Sequence, residues 1–359
     1  MTRVLLVGDA ASVHLRRLAT SLAAFGCRVR IAGFEGAPLD GIPMYRLGSL
    51  PLTADRRYLF AIPRLAALLR RHRPDVVNAH YLTSYGVMSA AALRLAFPVT
   101  PRPALVQTVW GDDLLVTPRR SGLHRRLGAV ALRSAALITG DSADLADAAR
   151  SLAPAVPWAT VVFGPPRALL DAPLTKERLI VSARQLLPDM RVGRIVRAFL
   201  AARRPHAGEL EGWRLVVAGS GPEDASLRAF AADEPGAVDI VGGLTHEDLG
   251  SLLLRSSIQV SIPVSDATSA TLLEGLAAGS LPVVNDLPAN REWVDGNIGV
   301  IVSRHPTVDE LAAALRKAVA SKPMTGELRR RVAHVTWESQ VELVAGLLER
   351  LATTQTGRP

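Results

Sequence analysis

Two carboxylates and two hydroxyls stand close together in residues 261–300, where an aliphatic run gives way to a polar loop. Seven residues separate Asp266 from Glu274, and Ser269 and Thr271 lie between them. Serine is a residue type that caps helices, and the apolar residues that follow predict a helix starting here. The first turn of a helix has unpaired N–H groups and carries the positive end of the dipole. The segment therefore predicts an anion site.

Glu274 falls further along the same predicted helix. A carboxylate one turn or more from a phosphate site is well placed to accept hydrogen bonds from ribose hydroxyls, as an acid does in Rossmann enzymes. The structural alternative is that Ser269 or Thr268 only caps the helix and that Glu274 lies on its solvated face.

Further candidates follow predicted strands in the same half of the chain. Arg184 comes after the predicted strand Leu179–Ser182, and arginine binds phosphate with two parallel hydrogen bonds. Gly219 begins a Gly-Ser-Gly-Pro turn, and Gly243 and Leu244 precede another predicted helix. Ligands of open α/β sheets bind outside the carboxyl ends of the strands, so these positions belong to the same candidate site.

Strand ends in the first half carry a second set of candidates, which are glycine, hydroxyl, imidazole, aromatic or carboxylate residues. They are Gly8, Ser12, His14, His80, Trp110 and Asp112. A histidine at a strand end also has a purely structural interpretation. Asp112 and its neighbour Asp113 are candidates for binding sugar hydroxyls. No third acid or histidine stands at a spacing that suits a metal ion, so we predict no metal site.

Strand-like and helix-like segments alternate through both halves of the chain. This alternation predicts right-handed crossovers and a doubly wound parallel sheet in each half, which is an α/β fold. Prolines in the segment Pro165–Lys176 interrupt the alternation and place a boundary there. We predict a first domain at 1–166, a second at 174–335, and a terminal helix in 336–359.

Composition excludes several classes of protein. Cys27 is the one cysteine, so no internal disulfide forms, and a reducing, cytoplasmic compartment is expected. We expect no signal peptide before the first strand, and no run reaches the ~18 apolar residues of a spanning helix. The net charge is +9, but interleaved aromatics, zinc-ligand spacing and a basic tail are missing, so no nucleic-acid partner is predicted.

Arginines flank two predicted apolar helices in the first half. Arg56, Arg57, Arg64, Arg70, Arg71 and Arg73 flank the predicted helix Leu59–Leu69. Arg119, Arg120, Arg125, Arg126 and Arg133 lie around the predicted helix Leu123–Ser134. Basic amphipathic helices bind anionic lipid, which predicts peripheral contact with the inner face of a membrane. A solvated arginine-rich face is the alternative interpretation.

Residues 261–300 resemble the C-terminal signature of family-4 retaining glycosyltransferases, which have the GT-B fold and belong to glycosyltransferase group 1. That signature has two acids separated by seven residues, a Gly/Ala-rich helix end and a Pro-Val-Val strand. The acids here are Asp266 and Glu274. The family usually has glutamate first, and Asp266 is similar to a branch that reads Ser-Asp-Gly-Thr. The resemblance covers nearly the whole chain and is most specific in this segment.

The resemblance implies two Rossmann-like domains facing across a cleft, with 336–359 packing back toward the first domain. It implies that Glu274 binds the donor ribose and that Asp266 lies near the transferred sugar. Further residues would hold the rest of the donor. Arg184, Ser269, Ala270 and Thr271, with Gly8 and Ser12, would lie at the diphosphate, and Gly243 and Leu244 at the base. Gly219 would be a further donor-binding residue. The family's lysine five residues after the arginine is absent, and Arg191 is the candidate replacement.

The activity implied is retaining, metal-independent transfer of a sugar from a nucleotide diphosphate sugar, with no cofactor. The catalytic residues would be Asp266, Arg184 and Glu274, and the acceptor would be a sugar, a lipid-linked glycan or a small natural product. Front-face displacement, assisted by the leaving diphosphate, is the implied mechanism. His14, His80, Trp110, Asp112 and Arg191 would contact substrate.

Two other functions stay open at this point. Trp110 stands where many relatives have histidine, so a catalytically weakened or dead GT-B binding protein is one alternative. An NAD-dependent Rossmann enzyme is the other, but it requires Gly-x-Gly-x-x-Gly after a strand. The loop Gly8–Ser12 does not have that pattern, and Gly219–Pro222 has no third glycine.

Overall fold

The computed structural model describes residues 1–48, 54–99, 101–117, 121–203, 210–232, 234–322 and 324–356. The side chains of residues 54, 55, 112, 355 and 356 lie outside this description. Contacts divide the chain into two compact units. The N-terminal unit comprises Met1–Val162 with Ser339–Pro359, and the C-terminal unit comprises Phe163–Glu338.

The N-terminal unit is built on a parallel sheet of seven strands in the order β3-β2-β1-β4-β5-β6-β7. Aliphatic residues fill these strands, as expected for a sheet covered on both faces. Its strands are β1 Arg3–Val7, β2 Arg28–Gly33, β3 Met44–Arg46, β4 Val76–His80, β5 Ala104–Thr108, β6 Leu137–Gly140 and β7 Trp158–Thr160.

Helices connect these strands and cover the sheet. They are α1 Val13–Ala24, α2 Ala54–His72, α3 Val87–Ala96, α4 Gly122–Arg133 and α5 Ala143–Leu152. Two π-helical turns, Leu82–Gly86 and Asp112–Val116, follow β4 and β5. The first of them leads directly from β4 into α3.

The C-terminal unit has a six-stranded parallel sheet in the order β10-β9-β8-β11-β12-β13. Its strands are β8 Glu177–Ala183, β9 Arg214–Ala218, β10 Val238–Gly242, β11 Ser256–Ser261, β12 Leu281–Asn285 and β13 Val300–Val302. The helices from here to the end of the chain are α6 Arg167–Asp171, α7 Val192–Arg203, α8 Asp224–Ala231, α9 His246–Arg255, α10 Ala270–Ala277, α11 Pro288–Trp293, α12 Val308–Ala320, α13 Thr325–Val332 and α14 Trp337–Thr356.

The predicted α/β fold class is confirmed in both units. The core of the C-terminal unit packs α7 and α12 against one face of the sheet, with Phe199 fully buried at its centre. The sequence missed the short strands β3, β7 and β13, since three residues are too few to show a period-two pattern. Among the described residues, no helix is long and apolar enough to cross a bilayer.

Lys176 is a half-buried lysine at the amino ends of β8 and β11. Its Nζ donates to the carbonyl oxygens of Leu253 at 3.3 Å and Ser256 at 2.5 Å, and to Ser280 Oγ at 3.3 Å. Burial, together with the smaller effect of the Arg329 charge, lowers the pKa of Lys176 from 10.5 to about 7. The folded chain therefore binds fewer protons than the unfolded chain above neutral pH.

We expect stability to rise with pH from neutrality to about pH 10, by up to about 1.4 kcal/mol per pH unit from this group alone. Stability rises because, between neutral pH and about pH 10, Lys176 is deprotonated in the folded chain and still protonated in the unfolded chain. A rise in pH therefore favours the folded chain. Lys176→Met should flatten the profile of melting temperature against pH. Lys317→Met, at an exposed lysine on α12, is the control. Parallel profiles for wild type and Lys176→Met would contradict the assignment.

Candidate functional site

The strand order of the C-terminal unit reverses direction between β8 and β11. In an open α/β sheet, a crevice forms at the carboxyl ends of the strands at such a reversal, and ligands bind there. Arg184 follows β8 directly, and the loop after β11 leads through Asp266 to α10. The fold therefore brings these two predicted residues to the same crevice.

Arg184 lies between the loop after β11 and the start of α10. Its Nη2 donates to Asp266 Oδ2 at 2.7 Å, and its Nη1 donates to Ser269 Oγ at 2.8 Å. The Arg184 side chain is 13% exposed and that of Asp266 is 23% exposed, so the ion pair is mostly withdrawn from water. The Arg184 guanidinium is therefore fixed beside the N-terminus of α10. The free N–H groups and the dipole of that helix end also favour an anion.

Ser269 caps α10, as the sequence predicted. Its Oγ accepts from Leu272 N at 3.3 Å, and its carbonyl oxygen accepts from Leu273 N at 3.2 Å. Ala270 and Thr271 form the first turn, where backbone N–H groups have no acceptor within the helix. Thr268, the alternative cap, instead accepts from Trp293 Nε1 at 3.4 Å.

Glu274 is buried within α10 rather than solvated. The residue is 6% exposed, and its Oε1 lies 3.6 Å from Nδ1 of His246, the first residue of α9. The interpretation of Glu274 as a residue of a solvated face is therefore wrong. The contact with His246 places the Glu274 carboxylate near the start of α9. The loop of Gly243 and Leu244 leads directly into that helix.

Gly219 controls the position of Arg184. A Cβ atom at residue 219 would lie 1.9 Å from the carbonyl oxygen of Arg184. Gly219 N donates to Gly242 O at 2.7 Å, and Leu186 N donates to Ser220 O at 2.9 Å. The glycine turn after β9 is thus hydrogen-bonded to the loops after both β8 and β10. The Gly-Ser-Gly-Pro sequence did not predict these contacts.

We expect Gly219→Ala to destabilise the C-terminal unit by about 1–3 kcal/mol, since the new methyl group forces the Arg184 loop to move. Thermal melting measures this change. Gly296→Ala is the matched control, because a Cβ there meets no atom within 4 Å. Equal melting temperatures for the two variants would show that the loop is not held by this contact.

Arg191, the candidate replacement for the family lysine, has a left-handed backbone conformation with φ of 55°. Its Nη1 donates to Arg304 O at 3.0 Å, and its Nη2 lies 2.5 Å from His305 Nδ1. The guanidinium thus contacts the segment after β13. Burial lowers the pKa of Arg191, and the neighbouring charge of Arg194 lowers it further.

Two buried amides hold the loop and helix of this site, and the sequence analysis missed both. Asn285 Nδ2, at the end of β12, donates to Pro263 O at 2.7 Å. Gln259 Nε2, on β11, donates to Leu272 O at 3.0 Å. Both residues are less than 7% exposed. A polar residue inside an aliphatic strand was the available signal, because a buried amide needs hydrogen-bond partners.

In the N-terminal unit the strand order reverses between β1 and β4. Gly8 follows β1, and a Cβ there would lie 3.2 Å from both His80 Cβ and Leu15 Cδ2. Ser12 precedes α1 without capping it through its side chain, and it is hydrogen-bonded to Tyr81. The loop after β1 is therefore packed closely on the end of β4.

An aromatic cluster joins three of the predicted residues in this unit. The Trp110 ring lies 5.8 Å from His14, 6.1 Å from His80 and 5.6 Å from Tyr81, between ring centroids. The Tyr81 ring is stacked on Trp110, and its backbone has an uncommon positive φ of 68°. Strained residues of this kind concentrate at functional sites.

His80 is the buried member of the cluster. Burial, together with the smaller effect of the nearby His14, lowers the pKa of His80 to about 3. Its Nε2 lies 3.2 Å from Asn78 Oδ1, and its Nδ1 is buried with no partner among the described residues. The ring is thus neutral at physiological pH.

Asp113 holds two loops of this cluster together. Its carboxylate accepts hydrogen bonds from the backbone N–H groups of Leu82 and of Trp110, the second at 2.9 Å. Only 7% of the residue is exposed. Asp112 was predicted to bind sugar hydroxyls, but its side chain is outside the described part of the structure.

A cavity of about 770 Å³ in the C-terminal unit lies away from Arg184. It is lined by Val216, Val238 and Ile240 of β9 and β10, and it reaches the predicted base loop at Leu244. Within the described part of the chain, no three His, Cys, Asp or Glu side chains come close enough to hold a metal ion.

Two family models match the chain, one in each half. Residues 3–142 match glycosyl transferase 4-like proteins, and residues 171–334 match glycosyl transferases group 1. Together the matches cover most of the sequence. No curated protein matches the chain significantly.

Solved structures with the same fold share little sequence with this chain. Sucrose-phosphate synthase from Thermosynechococcus elongatus is 14% identical with a TM-score of 0.75, covering 99% of this chain and 100% of its own. A Rickettsia africae glycosyltransferase is 13% identical with a TM-score of 0.74, covering 98% of each chain. Anabaena HepE in complex with UDP-glucose is 14% identical with a TM-score of 0.69, covering 99% of each chain. The chain is therefore a glycosyltransferase of the GT-B fold, and its residues 171–334 match the group 1 glycosyltransferases.

Proposed function

We propose that this glycosyltransferase moves a sugar from a nucleoside diphosphate sugar to an acceptor with retention of anomeric configuration and without a metal ion. One observation carries the proposal. Arg184 contacts Ser269 at the capped start of α10, and the same helix carries the buried Glu274. A guanidinium beside a helix N-terminus is suited to a diphosphate, and a carboxylate about one turn further along the helix is suited to ribose hydroxyls.

Each part of the donor has a proposed partner. The diphosphate accepts hydrogen bonds from the N–H groups of Ala270 and Thr271 and from Arg184, while Glu274 binds the ribose. The base contacts the backbone of Gly243 and Leu244. Support comes from HepE, whose solved complexes hold UDP and UDP-glucose in the same fold. Asp266 lies near the transferred sugar in this proposal.

The N-terminal unit supplies the remaining substrate contacts in this proposal. The Trp110 ring offers an apolar face for a sugar ring, and His14 and the neutral His80 offer hydrogen-bonding nitrogens. Because this chain has a single cysteine, we place the reaction in the reducing cytoplasm.

The proposed reaction is a front-face displacement. The bond between the anomeric carbon and the phosphate oxygen breaks, and the acceptor oxygen bonds to the same face of that carbon. The acceptor proton passes to the departing phosphate oxygen, which gives the nucleoside diphosphate and the glycoside. Arg184 and the α10 N–H groups stabilise the charge that develops on the leaving group, so positioning and electrostatics supply the catalysis.

Calorimetric titration with UDP, GDP, TDP and ADP in the presence of EDTA tests the donor site. We expect one of the four to bind, and pyrophosphate to compete with it. A divalent cation should leave the dissociation constant unchanged. Binding that appears only with a divalent cation would overturn metal independence, and binding of none of the four would overturn the donor assignment.

A product analysis tests the stereochemistry separately. Once a donor and acceptor pair is known, the anomeric configuration of the product is read by NMR. Retention is expected. An inverted product would overturn the front-face mechanism while leaving the donor site intact.

A further inference from the structure

The positive charge of this chain is concentrated in one segment. Residues 54–133 contain thirteen arginines, four aspartates, and neither lysine nor glutamate. This segment alone has an excess of nine positive charges, which equals the net charge of the whole chain. The remaining residues are therefore electrically balanced, and the basic character is a local property rather than a general bias.

The segment forms one layer of helices in the N-terminal unit. Helix α3 packs against both α2 and α4. Two of the four aspartates do not offset the arginines at the surface, since Asp75 pairs with Arg3 at 2.5 Å and Asp113 is buried against backbone N–H groups. The side chains of Asp55 and Asp112 lie outside the described residues, as do Arg119 and Arg120.

Large apolar side chains are exposed on the same two helices. On α2, Leu59 is 62% exposed and Phe60 is 67% exposed. On α4, Leu123, Leu127 and Val130 are 64%, 42% and 48% exposed. Their spacing of four and then three residues places the α4 residues on one face of the helix.

Exposed arginines border these apolar residues. Arg56 lies three residues before Leu59, Arg64 lies four residues after Phe60, and Arg126 lies three residues after Leu123 and four before Val130. Arg57 is turned inward by comparison, because it contacts the rings of Phe34 and Tyr58 and lies 3.5 Å from Glu35. We name the exposed residues of α2 and α4 the basic apolar face.

The direction of the helices places this face at one edge of the sheet. Helices α2 and α4 lead into the parallel strands β4 and β6, so both helices end at the amino edge of the sheet. Their first halves, which carry Leu59, Phe60, Leu123 and Leu127, are thus nearer the carboxyl edge. The loops that hold His80 and Trp110 lie at that same edge.

We propose that the basic apolar face docks the N-terminal unit on an anionic lipid bilayer. Exposed leucine and phenylalanine insert at the boundary between headgroups and acyl chains, while the bordering arginines pair with lipid phosphates. Nucleic acid explains the arginines but not five exposed apolar side chains, because phosphate contacts require no apolar surface. Docking is independent of the proposed donor chemistry.

Vesicle flotation with the full chain tests this proposal. The probes are vesicles of phosphatidylcholine alone and of phosphatidylcholine mixed with phosphatidylglycerol, at low and high salt. We expect binding to the anionic vesicles only, weakened by salt because charge attraction is screened. Equal binding to both kinds of vesicle would contradict the arginine contribution.

Two variants separate charge from insertion. Leu123→Gln with Leu127→Gln should lower vesicle binding at least about tenfold, since burial of leucine drives insertion. Arg125→Gln with Arg126→Gln should lower it by a similar factor and reduce its salt dependence. Leu343→Gln on α14, where the leucine is 38% exposed, and Lys317→Gln with Arg330→Gln are the matched controls and should bind as wild type.

Three outcomes would overturn the proposal. The first is no binding to anionic vesicles by the wild type. The second is equal loss of binding in the control variants, and the third is tight binding to RNA or DNA that vesicles do not compete. Melting temperatures of all variants establish that they fold, and donor binding by calorimetry should be unchanged in each.

Discussion

Arg184→Ala is expected to lower kcat/KM for the donor by about 100- to 1000-fold, the effect of removing one donor at a developing negative charge. The wild-type guanidinium is held by Asp266 at 2.7 Å and Ser269 at 2.8 Å, so it costs little reorganisation when the substrate binds. Its loss also leaves the Asp266 carboxylate without its counter-ion, next to the diphosphate. Release of the nucleoside diphosphate measures turnover.

The double variant Arg184→Ala with Asp266→Asn separates these two causes. If Arg184 acts only by neutralising Asp266, the double variant should recover most of the lost activity. If Arg184 stabilises the leaving diphosphate, activity should stay well below that of Asp266→Asn alone. Arg184→Lys keeps the charge without the two-pronged geometry and should recover part of the rate. Unchanged kcat/KM in Arg184→Ala would contradict its catalytic role.

Glu274→Ala is expected to weaken binding of the nucleoside diphosphate by about 10- to 100-fold, which is the contribution of hydrogen bonds to one charged group. Pyrophosphate has no ribose, so its binding should be unchanged in this variant. Arg184→Ala, in contrast, should weaken both ligands. Calorimetry with the two ligands therefore distinguishes a ribose contact from a diphosphate contact.

Stability provides the control for Glu274, because the residue is 6% exposed and contacts His246 at 3.6 Å. Glu274→Gln retains the shape of the side chain and should fold with a melting temperature close to wild type. His246→Ala removes the neighbouring ring without removing the carboxylate. Equal weakening of pyrophosphate and nucleoside diphosphate by Glu274→Gln would show that the variant disturbs α10 as a whole.

Several elements of the site were predictable because they lie within one strand–loop–helix unit. The helix start at Ser269 and the place of Glu274 on the same helix follow from residue types at short spacing. The parallel sheets follow from the alternation of aliphatic strands and helices. The excess of arginine in residues 54–133 is likewise a property of the sequence, and the family matches agree with the resemblance found in the C-terminal half.

Tertiary structure alone decided which distant groups meet. Arg184 and Asp266 are 82 residues apart and pair because β8 and β11 are neighbours at the point where the strand order reverses. Packing likewise turned Arg191 toward His305, buried Glu274 beside His246, and left Leu123 and Phe60 in water. Local sequence specifies helices, strands and caps through backbone and side-chain preferences. Contacts across strands depend on the order in which the sheet assembles, which no single segment encodes.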